Sequence, residues 1–412
     1  MTQPPIYLAV ALDGAGWHPS AWREPDARSA EIFGGAYWRD LARTAENGGI
    51  DLLTIEDALG LQTPALGDID PTVTNEVRGR LDAVLLASWL APLTNRIGLV
   101  PTVTTTHTEP FHVSTAIATL DYASNGRAGL RAQVSGRSHE AAHFGRRSIP
   151  RLHPGRLDSA EGVAALNELF DEAADALEVV RRLWDSWQDD AVIRDQATGR
   201  FIDRDRLHYI DFTGEQFTVR GPSITPRPPQ GQPLVTALAH QTIPYRLAGR
   251  QADIVYITPH DDAQVLSIAA EVRAAERFVG RRGTPLGVWA DILVVLDDTP
   301  DAARRRLERL DDQHGTPLTS DALIFTGTPG GLVEQLLHWS ALGIDGFRLR
   351  PAALPHDLQQ IADRVVPLLT SSAALDRDRD ATTLRSFLGF EPAPNRYTDE
   401  PLFGAAGERI AS

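Results

Sequence analysis

Cysteine is absent from the 412 residues. That absence removes disulfides, thiolate zinc sites, iron–sulfur clusters and a cysteine nucleophile together. Long apolar runs are missing too. No stretch nears the roughly 20 apolar residues that span a bilayer, and the opening MTQPPIYLAVALDG has neither the basic start nor the longer apolar run of a secretory signal. Nor is there an excess of positive charge: 55 acidic residues against 40 basic ones give a net −15 with histidines neutral. That balance argues against nucleic acid, whose backbone attracts clustered cations. What the sequence does have is apolar content, 42%, enough for a large core. These features predict a globular, cytoplasmic protein with no nucleic-acid or membrane partner.

The length allows several ordinary domains, or one (β/α)8 barrel of about 250 residues carrying insertions. Short β-branched runs alternate with helical patterns, the signature of a parallel sheet covered by helices. Eight runs read as strands: Ile6–Leu12, Asp51–Asp57, Ile97–Thr104, Ala128–Ser135, Leu234–Ala239, Asp253–Thr258, Val288–Leu296 and Gly346–Arg350. The third, IGLVPTVT, has almost no polar interruption, as a strand buried on both faces should. Among the helical patterns, Ala174–Trp187 places Leu177, Val180, Trp184 and Trp187 along one face. An open doubly wound sheet with a second domain would also alternate, but no Gly-rich phosphate fingerprint follows any strand and no linker divides the chain. The expectation is an α/β protein, a single (β/α)8 barrel over residues 1–412. It would carry an insertion at about 188–232 and an irregular, charged tail from about 371, draped over the surface.

Several motifs bear on chemistry. His139-Glu140-Ala141-Ala142-His143 has the two histidines and intervening glutamate of the zinc-peptidase pattern. Glu161 is the available third ligand, but the proline-broken RRSIPRLHPG lies between, and a short helix with solvated histidines accounts for the pattern; no metal site is expected. TGTPGG, Thr326–Gly331, lacks the lysine of a P-loop and reads as a helix start or an anion site. Asp57 and Thr104 close the second and third strands, where barrel enzymes build their sites, although either residue also makes an ordinary helix cap. His107 and Glu109, in TTTHTEPF, share that ambiguity, while Trp184, Trp187 and Trp339 read as core.

Longer segments carry a resemblance. They are SAWREPDA (20–27), IGLVPTVTTTHTEPFHVSTAIATLDYASNGRAG (97–129), LEVVRRLWDSWQDDAVIRDQATGRFID (177–203), FTVRGPSITPRPPQGQP (217–233), GTPGGLVEQLLHWSALGIDGFRLRPAALP (327–355) and TLRSFLGFEPAPNRY (383–397). In this order, over nearly the whole chain, the sequence resembles the bacterial luciferase-like flavin monooxygenases. Within that family it is similar to the branch of nitrilotriacetate and dibenzothiophene-sulfone monooxygenases and pristinamycin synthase component A. The resemblance implies a barrel enzyme that takes reduced FMN from a separate flavin reductase and uses O2 to oxygenate a small organic substrate. It also implies that Asp57 and Thr104 line the flavin pocket, and it leaves a homo-oligomer open.

The chain departs from the family pattern at clustered positions. The Gly-Ser-Ser that receives the FMN phosphate after the fifth strand reads Leu238-Ala239-His240 here, so Ala239 and His240 stand at the phosphate site. Leu166 and Phe170 stand where the family has a flavin-contacting His and Tyr. Trp-Asn-Val-Val-Thr-Ser becomes Leu130-Arg131-Ala132-Gln133-Val134-Ser135. A cationic His240 and Arg131 would replace the lost donors by charge, and Arg131 with Arg137 would favour an anionic substrate. Two alternatives to the monooxygenase stay open: a deazaflavin-dependent oxidoreductase, and a flavin-poor, partner-dependent subunit that keeps the fold.

Overall fold

The computed structural model describes residues 5–62, 70, 72–149, 155, 157, 159–375, 377 and 381–398. Its main sheet has nine parallel strands: β1 Tyr7–Leu12, β2 Leu52–Ile55, β3 Gly98–Thr104, β4 Gly129–Gln133, β5 Leu234–Leu238, β6 Ile254–Ile257, β7 Gly287–Leu296, β8 Leu323–Gly327 and β9 Gly346–Pro351. Eight of them close into the expected barrel, with β9 pairing β1 and β6 pairing β7. The surrounding helices are α1 Gly35–Asn47, α2 Ala83–Leu90, α3 Pro110–Ala123, α4 Ser138–Phe144, α5 Ala160–Asp185, α6 Thr242–Gln251, α7 Asp262–Phe278, α8 Pro300–His314 and α9 Pro329–Ala341, followed by helical turns through Ser371. Two small hairpins, Val192–Asp195 with Arg200–Ile202 and Phe212–Thr213 with Thr218–Val219, lie in sequence between α5 and β5.

The ninth strand, β8, has no counterpart in the sequence reading. β7 is ten residues long, so its two halves find different neighbours. The first half pairs β6, from Ile254↔Gly287 to Ile257↔Ala290, and the second pairs β8, from Ile292↔Leu323 to Leu296↔Gly327. β8 therefore takes over where β6 stops, and Leu323 N–H donates to Pro259 O at 3.3 Å. LIFTG is short and mostly half-buried, and it runs straight into the start of α9, which hides it in a hydrophobicity pattern.

Side chains alternate across the barrel wall. Leu8, Val10 and Leu12 face the helices, while Ala9 faces the axis. In the lower half of the barrel Leu52, Val100, Leu234, Ile254 and Trp289 pack with Leu384 and Leu388 from the C-terminal segment. This corrects the expectation of a tail draped over the surface: Leu384 is 2% and Leu388 5% exposed. A short helix, Leu384–Phe387, is capped by Thr383, and Arg385 fastens it by donating to Gln232 O at 2.9 Å and to Asp253 at 3.1 Å. Gly98 makes room, since a Cβ there would stand 2.6 Å from Leu384 Cδ1. Two leucines among charged and turn residues give too little periodicity to reveal a plug.

The helical layer follows from sequence more directly. α5 is longer than its recognisable apolar half, beginning at a Ser159 cap that accepts from Gly162 N–H. Trp184 and Trp339 are buried as expected, with their indole N–H groups on Ser114 O and Asp262 Oδ1.

If the C-terminal segment is a structural plug, Leu384→Ala should cost about 2–5 kcal/mol by the cavity rule. Urea unfolding of the full chain checks this, and a loss near zero would show that the leucine is not seated in the barrel.

Candidate active site

Above the leucine layer the barrel interior turns polar. Inward positions carry Thr54 (β2), Glu56 just past β2, Thr102 (β3), Arg131 (β4), Asp291 (β7), and Arg348 and Arg350 (β9). Asp291 accepts from Arg348 Nε and Arg350 Nε, each at 2.8 Å. Glu56 accepts from Arg131 and from Arg348, each at 3.0 Å, and Arg131 also donates to Thr102 at 2.7 Å. Arg350 continues outward to Asp321, just before β8, and lies over the Trp17 ring at 4.7 Å. Burial alone would raise Glu56, Asp291 and Asp321, but the neighbouring guanidinium charges outweigh it, and Asp321 is held down to about 2.

The rim of the mouth is built from strand ends. Asp13, just past β1, takes a two-pronged contact from Arg80 at 3.0 and 2.6 Å. Asp57 follows β2, and its carboxylate accepts from Ala58 N–H at 2.7 Å and Ala83 N–H at 2.8 Å. It thereby ties the strand end to the first turn of α2, and burial raises its pKa against those bonds. Gln133 ends β4 and reaches across, donating from Nε2 to Asp57 O at 3.2 Å and Thr104 Oγ1 at 3.3 Å. So Asp57 and Thr104 do meet, through an amide.

Beyond Thr104 the chain turns at His107, whose φ is +70° and whose ring stacks on Phe144 at 5.3 Å. His107 Nε2, His139 Nε2 and Glu140 Oε2 are buried polar atoms that have no hydrogen-bond partner among the described residues. Gly60, in the loop after β2, faces this group: a Cβ there would meet His139 Nε2 at 2.7 Å. Unsatisfied buried groups cost free energy, and their clustering near strand ends marks a place for a ligand's polar edge.

One strand further round, Ala239 is fully buried and its N–H is spent on Tyr256 O at 3.0 Å. His240 places Nδ1 2.9 Å from Thr258 Oγ1 and Nε2 3.5 Å from Asp321 Oδ2. Desolvation lowers the His240 pKa, with Asp321 opposing. Arg131 and Arg137 pair with Glu56 and Glu140, and Arg131 Nε has no hydrogen-bond partner among the described residues. Phe170 packs into the apolar layer between barrel and helices, and Leu166 packs beside Ala141 and Leu169.

The remaining motifs resolve simply. His139 and His143 sit on α4 with rings 6.5 Å apart, and no three His, Asp or Glu side chains among the described residues converge for a metal. Thr328 Oγ1 accepts from Gly331 N–H at 3.1 Å, so TGTPGG is a self-capped helix start. Gln133, Glu56, Asp291, Asp321, Arg348 and Arg350 were not singled out in the sequence. For Asp291, Arg348 and Arg350 the signal was there: charged residues inside apolar strands, as in VWADILVVL and GFRLRP, demand burial with a partner.

Asp57→Ala should cost about 1–2 kcal/mol of stability in denaturant unfolding, because two backbone donors lose their acceptor. A change within 0.3 kcal/mol, roughly the scatter of such measurements, would show that the carboxylate does not brace α2.

The model of the luciferase-like monooxygenases matches residues 17–324. The chain is 29% identical to N-acetyl-S-(2-succino)cysteine monooxygenase of Bacillus subtilis (strain 168), over 95% of this chain and 98% of the relative. It is 28% identical to dibenzothiophene-sulfone monooxygenase of Rhodococcus erythropolis, over 90% and 92% of the two chains. Among solved structures it is similar to the EDTA monooxygenase from Chelativorans sp. BNC1, with a TM-score of 0.77 at 25% identity, covering 94% of this chain and 99% of the other.

Proposed function

The chain belongs to the luciferase-like monooxygenase family, and on that premise we propose that it is the oxygenating component of a two-component system. It receives reduced flavin of the FMN class from a separate flavin reductase and oxygenates a small organic molecule with O2. The observation that carries this reading is the alignment with curated monooxygenases over nine-tenths or more of both chains, among them a protein named nitrilotriacetate monooxygenase component A of Aminobacter aminovorans.

The mouth suits the ring of a flavin. Gln133 and Thr104 present an amide and a hydroxyl held at fixed separation on adjacent strands, and neutral groups of this kind match the N–H and C=O edge of an isoalloxazine. His107, His139 and Glu140 keep buried polar atoms that a bound molecule would satisfy. When bound, a reduced flavin supplies the two electrons that let one atom of O2 enter the substrate and the other leave as water. The chain's own contribution is position and dryness. The ion-paired floor of Glu56, Arg131, Asp291 and Arg348 fixes the strand ends, and the Leu384 plug fills the other end of the barrel. For the phosphate of FMN, the chain after β5 offers the start of α6 and the exposed Thr242 hydroxyl, with His240 facing Asp321.

The test is an anaerobic titration with reduced FMN, followed by oxygen and a substrate panel. The panel takes the molecules named for the relatives: N-acetyl-S-(2-succino)cysteine, dibenzothiophene sulfone and nitrilotriacetate. Stoichiometric binding and an oxygenated product are expected, and no binding at millimolar flavin would overturn the reading. Gln133→Leu should weaken reduced-flavin binding about tenfold, the value of roughly one good hydrogen bond, with the unfolding midpoint little changed.

A further inference from the structure

We propose that Thr258, His240 and Asp321 form a hydrolytic relay at the barrel mouth, with Thr258 as the nucleophile and small neutral carboxylic esters as substrates. This activity is separate from the oxygenation proposed above and needs no flavin.

A hydroxyl becomes a nucleophile when a base lies within hydrogen-bond reach of it and a third group orients that base. These three residues meet that description although they come from distant parts of the chain. Thr258 directly follows β6, and its Oγ1 lies 2.9 Å from His240 Nδ1. His240 stands just past β5, the strand that pairs with β6. Its other ring nitrogen, Nε2, faces Asp321 Oδ2 at 3.5 Å. Backbone pairing sets this arrangement. Leu323 N–H donates to Pro259 O at 3.3 Å, so the start of β8 is tied beside Thr258 and brings Asp321 with it.

The charges suit the three roles. Arg350 donates to Asp321 Oδ1 at 2.5 Å, which pins the carboxylate and leaves Oδ2 toward the imidazole. The same guanidinium outweighs burial and holds the Asp321 pKa down to about 2. An ionised carboxylate on the Nε2 side favours the ring proton there, and Nδ1 is left to accept from the Thr258 hydroxyl. Desolvation lowers the His240 pKa, Asp321 and Asp291 raise it, and Arg350 and Arg348 lower it. The net shift is downward, toward the unprotonated ring that a base requires. His240 and Asp321 are half-exposed, so an ester reaches them from solvent. Close by in the chain, the N–H groups of Thr242 and Ile243 in the first turn of α6 lack intrahelical acceptors, and donors of this kind steady a tetrahedral oxyanion.

The steps balance. Thr258 Oγ1 attacks the ester carbonyl while its proton passes to His240 Nδ1. The bond from the carbonyl carbon to the alcohol oxygen then breaks, and the alcohol leaves with that proton. Water, deprotonated by the same imidazole, cleaves the acyl-threonine to the acid and returns the free hydroxyl.

The test mixes the full chain, without flavin, with p-nitrophenyl acetate and follows nitrophenol release. The acid-quenched protein is digested and mapped by mass spectrometry. With neither cysteine nor lysine in the chain, an acetyl group has few other places to lodge. Acetylated Thr258 is expected, Thr258→Val should release nitrophenol about a hundredfold more slowly, and Thr258→Ser should stay active. Asp321 acts as a positioning residue, so Asp321→Asn should still acetylate Thr258. Its acid limb in the pH–rate profile should move to lower pH, because a carboxylate that raises the imidazole pKa is gone. A merely structural Asp321 would leave that limb in place, and an unmoved limb overturns the relay. So does an unchanged rate in Thr258→Val, or a Thr258 that carries no acetyl group in the unaltered chain. That last measurement decides should a variant fail to fold. Each of these results leaves the monooxygenase reading standing.

Discussion

Asp291 has no exposure to solvent and accepts from Arg348 and Arg350 at once, and around this carboxylate the charges inside the barrel balance. An isolated ion in such a place costs several kcal/mol, so Glu56, Arg131, Asp291, Arg348 and Arg350 depend on one another. Glu56 closes the arrangement on one side by taking Arg131 and Arg348, and Asp321 closes it on the other by taking Arg350. The network ties β2, β4, β7 and β9 together through their side chains, in addition to the backbone ladder. Strand ends braced in this way can hold Asp57, Thr104 and Gln133 in register without help from a ligand.

The choice of cation matters to that arrangement. All 40 basic residues of the chain are arginines, and lysine is absent. A guanidinium is a planar fork with donors on separate edges, so Arg348 serves Asp291 and Glu56 together and Arg350 serves Asp291 and Asp321. An ammonium is a compact, strongly hydrated point charge and would be harder to desolvate between two carboxylates. Stacking adds to the fit, with Arg348 over Tyr256 at 4.5 Å and Arg350 over Trp17 at 4.7 Å.

The two ends of the barrel have been treated differently by one long strand and one returning segment. The lower end is apolar, because Leu384 and Leu388 come back to pack against Trp289 and Ile254. The upper end gains an extra strand, because β7 outlasts β6 and must pair its remaining edge with β8. The loop that leads into β8 delivers Asp321 to the corner beside His240. A backbone requirement for pairing therefore sets the electrostatics of the mouth.

Much of this was legible in the sequence. Apolar runs separated by helical patterns gave the barrel strands, since hydrophobic periodicity is local and survives any tertiary arrangement. Asp57 and Thr104 could be placed at strand ends for the same reason. Gln133 could not be recognised as their link, because nothing in AQVSG shows which strand lies next to which. The plug was invisible, being two leucines whose partners, from Leu52 to Trp289, lie far back in the chain. Most telling is His240. From the sequence it is a cation standing in for lost serines, yet in the fold desolvation lowers its pKa while Asp321, brought alongside from the loop before β8, raises it. Local chemistry determined which elements form and where reactive side chains stand along them. Which charges cancel, which donors are already spent and what the mouth can hold were decided only when distant strands met, because electrostatic free energy depends on distance in space and not on separation along the chain.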